Sequence, residues 1–211
     1  MLLTVFSVST ALVLGVFLAL GKISKYKIIN MVCTAYIFFF RGIPLLILLF
    51  IVYFGLPLID PIFDVGRLPF ADSNGYLNSP RFIAAYIAFT LNIAAYLAEI
   101  IRAAIQSIDK GQMEASRSLG LTYGQAMRLV IIPQSYRRMI PPVCNEFVMV
   151  LKDTALVSII ALNDLAFQMK QIMSNSASAL VILPSCVIYL FLTWFFTTVF
   201  NKLEKKFSTY E

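Results

Sequence analysis

Asp109-Lys110-Gly111-Gln112-Met113-Glu114-Ala115-Ser116-Arg117-Ser118-Leu119-Gly120-Leu121-Thr122-Tyr123-Gly124-Gln125 is a polar break between two long apolar stretches, and Val130-Ile131-Ile132-Pro133 closes it. Locally it reads as helix, stop, helix. Residues 111–119 suit a short helix, and Gly120 stands where a left-handed C-terminal cap is needed, a conformation that a Cβ resists. Thr122 with Gln125 three positions later is a capping box, so a second helix starts there. Pro133 has no N–H to give and is expected to kink or break that helix about three turns in. Ala115 and Ser116 are small enough for another surface to approach the backbone closely.

The composition explains why such a break stands out. Of 211 residues, 60% are hydrophobic and 13% charged, against roughly half and a quarter in soluble domains. The chain is read as all-α and transmembrane, with helices apolar on every side. It has no histidine, which excludes His metal sites, His general bases and His-centred triads. Cys33, Cys144 and Cys186 stand apart in apolar sequence and read as buried small hydrophobes. The net charge of +6 flanks apolar stretches and forms no soluble basic patch, so it points to membrane anchoring and not to nucleic acid. Gly15 to Gly21-Lys22 superficially resembles a phosphate-binding loop. Its spacing is one residue too long, and Ile23 stands where a hydroxyl would hold magnesium. No nucleotide site is expected in this chain.

Five spans are expected, with the single domain covering residues 1–211. The first runs from about Leu2 to Leu20 and is read as retained, since a cleaved signal would start with a basic segment. The stretch from Ile28 to Pro57 is too long for one span of about 20 residues. It breaks at Arg41-Gly42-Ile43-Pro44, where Pro44 suits the first turn of a helix. An interfacial helix to about Phe40 and a span to about Pro57 follow, with Arg41 at the cytoplasmic interface. Leu58 to Pro80, with Asp60, Asp64, Asp72, Asn74 and Gly75, reads as an outer loop. The third span covers about Arg81 to Ser107, and the fourth about Ile140 to Leu151 with extensions at both ends. Thr154 to Ser178 reads as a short helical segment on the outer side, and the fifth span as Ala179 to Phe200. Lys22, Lys25 and Lys27, then Lys110 to Arg138, then Lys202 to Lys206 all fall on one side in this arrangement. The positive-inside rule puts that side in the cytoplasm, with the N-terminus outside and the C-terminus inside.

Glu114-Ala115-Ser116, three residues, Gly120, nine residues and Val130-Ile131-Ile132-Pro133 resemble the Glu-Ala-Ala loop of the membrane subunits of binding-protein-dependent ABC importers. Phe40-Arg41-Gly42-Ile43-Pro44, Tyr53-Phe54-Gly55-Leu56-Pro57, Ala95-Tyr96-Leu97-Ala98-Glu99-Ile100 and Leu151-Lys152-Asp153-Thr154-Ala155-Leu156-Val157-Ser158 resemble the polar amino acid subfamily. Ser116, Ile43 and the short N-terminus depart from its pattern. The resemblance implies a type I importer permease whose cytoplasmic coupling helix, within about 109–133, docks on a separate ATPase through Gly111, Met113, Glu114, Ala115, Ser116, Leu119 and Gly120. It implies no cofactor in this chain, ATP and Mg on the partner ATPase, an external amino-acid-binding protein, surrounding lipid, and a second permease. A homodimer is the simpler arrangement and a sister permease the alternative.

Ionisable groups within spans are costly, so each is a functional candidate. Asn92, Tyr96 and Glu99 are spaced to share one face of the third span. Asn92 is expected either to line a cavity or to bond another helix. Glu99 and Arg102 are expected to balance each other's charge. On the fourth span Glu146 and Asp153 share a face about 10 Å apart along the axis, with Asn145 beside them. Asp153 belongs to a string general to the subfamily, which favours gating or structure over selection. Met149, Met169 and Met173 read as packing. Substrate contact is assigned to Glu146, Asn145, Asn92, Asp153 and Tyr96, with an ion pair to another span as the alternative for Glu146. The function expected is ATP-driven import of polar amino acids, basic ones first. Neutral ones such as glutamine, or secondary transport, are the alternatives.

Overall fold

Small residues recur every fourth position along the first helix, and this sets how the molecule is put together. The computed structural model describes residues 1–59 and 79–208, so the expected outer loop lies almost wholly outside the described residues. Helix α1 (Leu2–Ile23) buries Ser7, Ala11, Gly15 and Ala19 on one stripe. That stripe lies on α4 (Pro80–Gln106), which is buried along most of its length and is rich in alanine. The two backbones approach so closely that a Cβ on Gly15 would stand 3.0 Å from Leu97 Cβ and 3.2 Å from the Ala98 nitrogen. Close approach of small residues is how helices gain packing energy where lipid removes the hydrophobic difference. The start of α4 is set locally: the Ser79 side chain accepts from the Phe82 N–H at 3.3 Å, and Pro80 occupies the first turn.

Helices α2 (Lys27–Gly42) and α3 (Leu45–Ile59) meet at the expected break. Ile43 precedes Pro44 and is extended, with φ −95° and ψ 129°, as proline demands of its predecessor. The two helices are bent by 102°. Both pack on α4.

The polar break folds as α5 (Lys110–Ser118), then α6 (Tyr123–Ala126), a π turn (Met127–Ile131) and α7 (Ile132–Asp153). The break expected at Pro133 does not occur. The chain stays helical from Tyr123 to Asp153, and the π turn just before Pro133 takes up the missing hydrogen bond by widening the helix. A 3₁₀ segment (Thr154–Ile160), α8 (Leu165–Ser176), a short 3₁₀ turn (Ala179–Val181) and α9 (Ile182–Ser208) complete the described chain. Ala161 and Ala177 end helices at φ 54° and 49° without a glycine.

Among the described residues, three helices are long and apolar enough to cross a membrane, or four if the bent α2–α3 pair is one span. The expected fourth span, α7, has 22 residues, long enough to cross, yet it is too polar for hydropathy to mark it. On α9 only Ser185 is buried among the described side chains; Phe196 and Phe200 pack on Phe147 of α7, and most of its other apolar residues face outward. Cys186 is exposed there, contrary to expectation, while Cys144 is buried, Cys33 half-buried, and all three thiols are free.

Gly15→Val is expected to destabilise the protein by about 1–3 kcal/mol, since two rigid backbones must separate to admit the side chain. Thermal unfolding of the purified protein in detergent measures this; an unchanged midpoint would mean that the α1–α4 contact is looser than described.

Candidate functional site

Two places gather the residues singled out from the sequence. The first is α5 and its flanks. The Asp109 side chain caps α5 by accepting from the Gly111 N–H at 2.6 Å. A Cβ on Gly111 would lie 2.9 Å from that carboxylate oxygen, so glycine here serves the cap. At the far end Gly120 is left-handed, with φ +85°. The Leu121 N–H reaches back to the Ser116 carbonyl at 3.2 Å and the Gly120 N–H to that of Arg117 at 3.0 Å, which satisfies the last carbonyls of the helix. Thr122 and Gln125 form the complete capping box.

α5 presents two faces. Met113 is half-buried against a cluster containing Ile101, Ile105, Ile108 and Ile131. Ser116 is buried, and its hydroxyl donates to the Gln112 carbonyl at 2.6 Å. This corrects one expectation: the small side chain at Ser116 seats α5 on its own chain and is not offered to a partner. Gly111, Glu114, Ala115 and Gly120 are exposed, and Leu119 is 84% exposed. An apolar side chain that bare, on a short helix with both ends capped, presents a rigid knob to another surface. Gln134 at the base of α7 donates to Gln112 at 3.2 Å, and Arg138 donates to the Ser107 carbonyl. Lys25 stacks over Tyr123, 5.4 Å from the ring centroid, so the first and second basic clusters share one end of the molecule.

The second place is a cavity of about 290 Å³ where α4, α7 and the α2–α3 break converge. Asn92 and Tyr96 reach it from α4, and Glu146, Met149 and Asp153 from α7. Arg41 completes its charged lining. Asn92 does both things expected of it: it borders the cavity, and its Nδ2 donates to the Phe40 carbonyl at 2.7 Å. The Arg41 guanidinium lies over the Tyr96 ring, 5.1 Å from the centroid. Glu146 forms no ion pair or hydrogen bond among the described residues, although the charges of Asp153 and Arg41 bear on it.

Three expectations change here. Asn145 is exposed and off the cavity, because one helical step turns it about 100° from Glu146. Met149 lines the cavity instead of packing. Arg41, read as an interface anchor, is exposed and sits on the cavity wall, where the 102° bend between α2 and α3 brings it beside α4 and α7. Its position at a Gly-x-Pro break was the available signal. Glu99 lies beyond the cavity, further along the same face of α4. It accepts from Lys22 of α1 at 2.9 Å and from Arg102 at 2.5 Å, the internal charge balance expected of it.

A larger cavity, about 420 Å³, lies between the start of α1, α8 and α9. Half of its lining residues are leucine, and its one carboxylate, Asp164, caps α8 by accepting from the Phe167 N–H at 2.8 Å. Burial pushes that carboxyl above its ordinary range against the cap's opposing pull. It contains none of the candidate binding residues.

Among the described residues the regular structure is all helical, with a capped surface helix and a charged cavity among apolar helices, an arrangement that suits the membrane part of a transporter. Residues 11–208 match the family model described as binding-protein-dependent transport system inner membrane component, and the chain belongs to that family. It is a multi-pass inner-membrane transport subunit, not an enzyme, of a family in which a coupling helix is typical. A probable glutamine ABC transporter permease of Bacillus subtilis (strain 168), GlnM, is 36% identical over 98% of this chain and 88% of its own length. The arginine transport system permease ArtQ of the same organism is also 36% identical, over 98% and 88%. A solved amino acid ABC transporter with histidines superposes with a TM-score of 0.84 at 37% identity, covering 97% of this chain and 88% of that one. The MetNI methionine transporter, at 20% identity and a TM-score of 0.71, shares the fold. The family works with a separate ATPase and a solute-binding protein.

Gly120→Val is expected to strain the cap by about 1–2 kcal/mol and displace α5, raising the ATP hydrolysed per solute moved while insertion stays intact. Gly120→Asn, which tolerates the left-handed region, should stay near wild type. Uptake per ATP measured in proteoliposomes decides; equal ratios in all three would remove α5 from coupling.

Proposed function

We propose that this chain forms the pathway of an ATP-driven importer of polar amino acids, with basic ones (arginine, lysine, histidine) as its preferred substrates. Two copies would enclose the route, with the N-terminus outside and the C-terminus in the cytoplasm. ATP and Mg bind on the partner ATPase subunits. Their closure moves α5 and shifts the permease between two packings, one open to each side. An external receptor delivers the amino acid.

The observation that carries the preference for basic substrates is Glu146: a carboxylate on a cavity wall with no ion-pair partner among the described residues. A carboxylate withdrawn from water without a counter-charge is costly. A guanidinium or ammonium on the substrate supplies that charge, and a guanidinium can engage it with two hydrogen bonds. The named relatives include both an arginine and a glutamine permease. A neutral substrate such as glutamine is therefore the second reading, and what favours it is the positive charge of Arg41 bearing on Glu146.

Glu146→Gln is expected to weaken arginine binding to the permease–ATPase complex by roughly 1.5–3 kcal/mol, the value of a charge-assisted hydrogen bond, and to change glutamine binding much less. The complex is assayed without the receptor, whose own selectivity would mask the effect. Equal losses for both ligands would leave Glu146 a structural charge. The purified chain alone is also expected to bind no nucleotide; saturable binding of ATP to it would contradict the division of labour.

A further inference from the structure

We propose that Arg41 recognises the α-carboxylate of the transported molecule, so that the cavity accepts α-amino acids and rejects the corresponding amines. The proposal rests on reading this cavity as the substrate site.

Arg41 is held in place twice by one face of α4. Tyr96 lies under its guanidinium, and Asn92, four residues earlier, donates to the carbonyl of Phe40, the residue before it. That contact engages the positive charge of the guanidinium with the ring and gives none of its five N–H donors an oxygen acceptor. No carboxylate pairs with Arg41 among the described residues. Lys22 and Arg102 show the contrast, since both are spent on Glu99. A guanidinium held over a ring, with its donors unspent on any acid, suits a planar two-oxygen anion.

The charges of the cavity agree. Its walls carry one positive group, Arg41, and two negative ones, Glu146 and Asp153. An amino acid with a cationic side chain carries the reverse: one carboxylate, one α-ammonium and one side-chain cation. Every charge then meets its opposite and the filled cavity is neutral, which satisfies the requirement that charges leaving water be paired. An amine without the carboxylate satisfies the two acids and leaves Arg41 unpaired. A neutral amino acid still uses Arg41 but leaves one acid over, so the role of Arg41 does not depend on the choice made at Glu146.

The test is equilibrium binding to the permease–ATPase complex without receptor, using arginine against agmatine, its decarboxylated form, and glutamine against glutaminamide. Wild type, Arg41→Gln and Arg41→Lys are compared. Wild type should bind each carboxylate ligand about 10- to 100-fold tighter than its blocked partner, as loss of a charge-assisted hydrogen bond requires. Arg41→Gln should erase that ratio by weakening the carboxylate ligand alone, and Arg41→Lys should restore part of it. Should Arg41→Gln fail to assemble, the wild-type ratios and Arg41→Lys still decide. Blocked ligands bound as well as carboxylates by wild type, or equal weakening of both by Arg41→Gln, would overturn the proposal. Binding of glutamine but not arginine would refute the basic preference alone, with the glutamine pair still reporting on Arg41.

Discussion

The contact between α1 and α4 is so close that even a Cβ at Gly15 would crowd the α4 backbone, and the other helices are arranged around it. Among lipid tails apolar surface gains little by turning inward, so association depends on how near two backbones can come. Ser7, Ala11, Gly15 and Ala19 give α1 a groove, and the alanines of α4 fill it. Helices α2, α3 and α7 then pack on the remaining faces of α4. This makes α4 the one element that touches both the charge network and the cavity. Its Glu99 is gripped by Lys22 and Arg102 toward one end, while Asn92 and Tyr96 hold Arg41 nearer its middle. The two sets sit at different heights along the same helix, Glu99 about 10 Å beyond Asn92, so the ionised residues that bind the helices together are kept apart from those that face open space.

What was legible in the sequence was mostly local. The capping box at Thr122 and Gln125, the left-handed Gly120 and the break before Pro44 each depend on a few neighbouring residues, and each is found where its chemistry placed it. The apolar stretches gave the long helices for the same reason. Properties set by which face meets which neighbour were not legible. Ser116 and Ala115 are adjacent and alike in size, yet one is buried and the other exposed, and only the packing of α5 decides between them. Glu146 and Asn145 divide in the same way. Arg41 lies on the cavity because of the angle between two helices, which no residue pattern states. Ala161 and Ala177 adopt left-handed conformations that their side chains disfavour, so surrounding structure imposes those helix ends and the sequence carries no sign of them. The π turn before Pro133 belongs here too: a proline announces a lost hydrogen bond, not how the helix absorbs it.

The path from the coupling surface to the cavity is short in chain terms. α5 is seated by Met113 and Ser116 and tied by Gln112 to Gln134, in the first turn of α7. From Gln134 to Glu146 the helix rises about 18 Å, and Asp153 ends it. One helix therefore carries both the contact with α5 and the two acids of the cavity. Between them stand Pro141 and Pro142, which contribute no backbone N–H to the helix ladder, and below them the π turn loosens the connection to α6. A displacement of α5 reaches the base of α7 through a polar contact and a packed one, and the segment above has fewer internal bonds to resist bending. The opposite wall of the cavity is the α2–α3 break, itself a joint. On the proposed reading, a cavity bordered by α4, a well-packed post, and by two elements with built-in bends would change its outline without disturbing the α1–α4 contact, as alternating exposure to two sides would require.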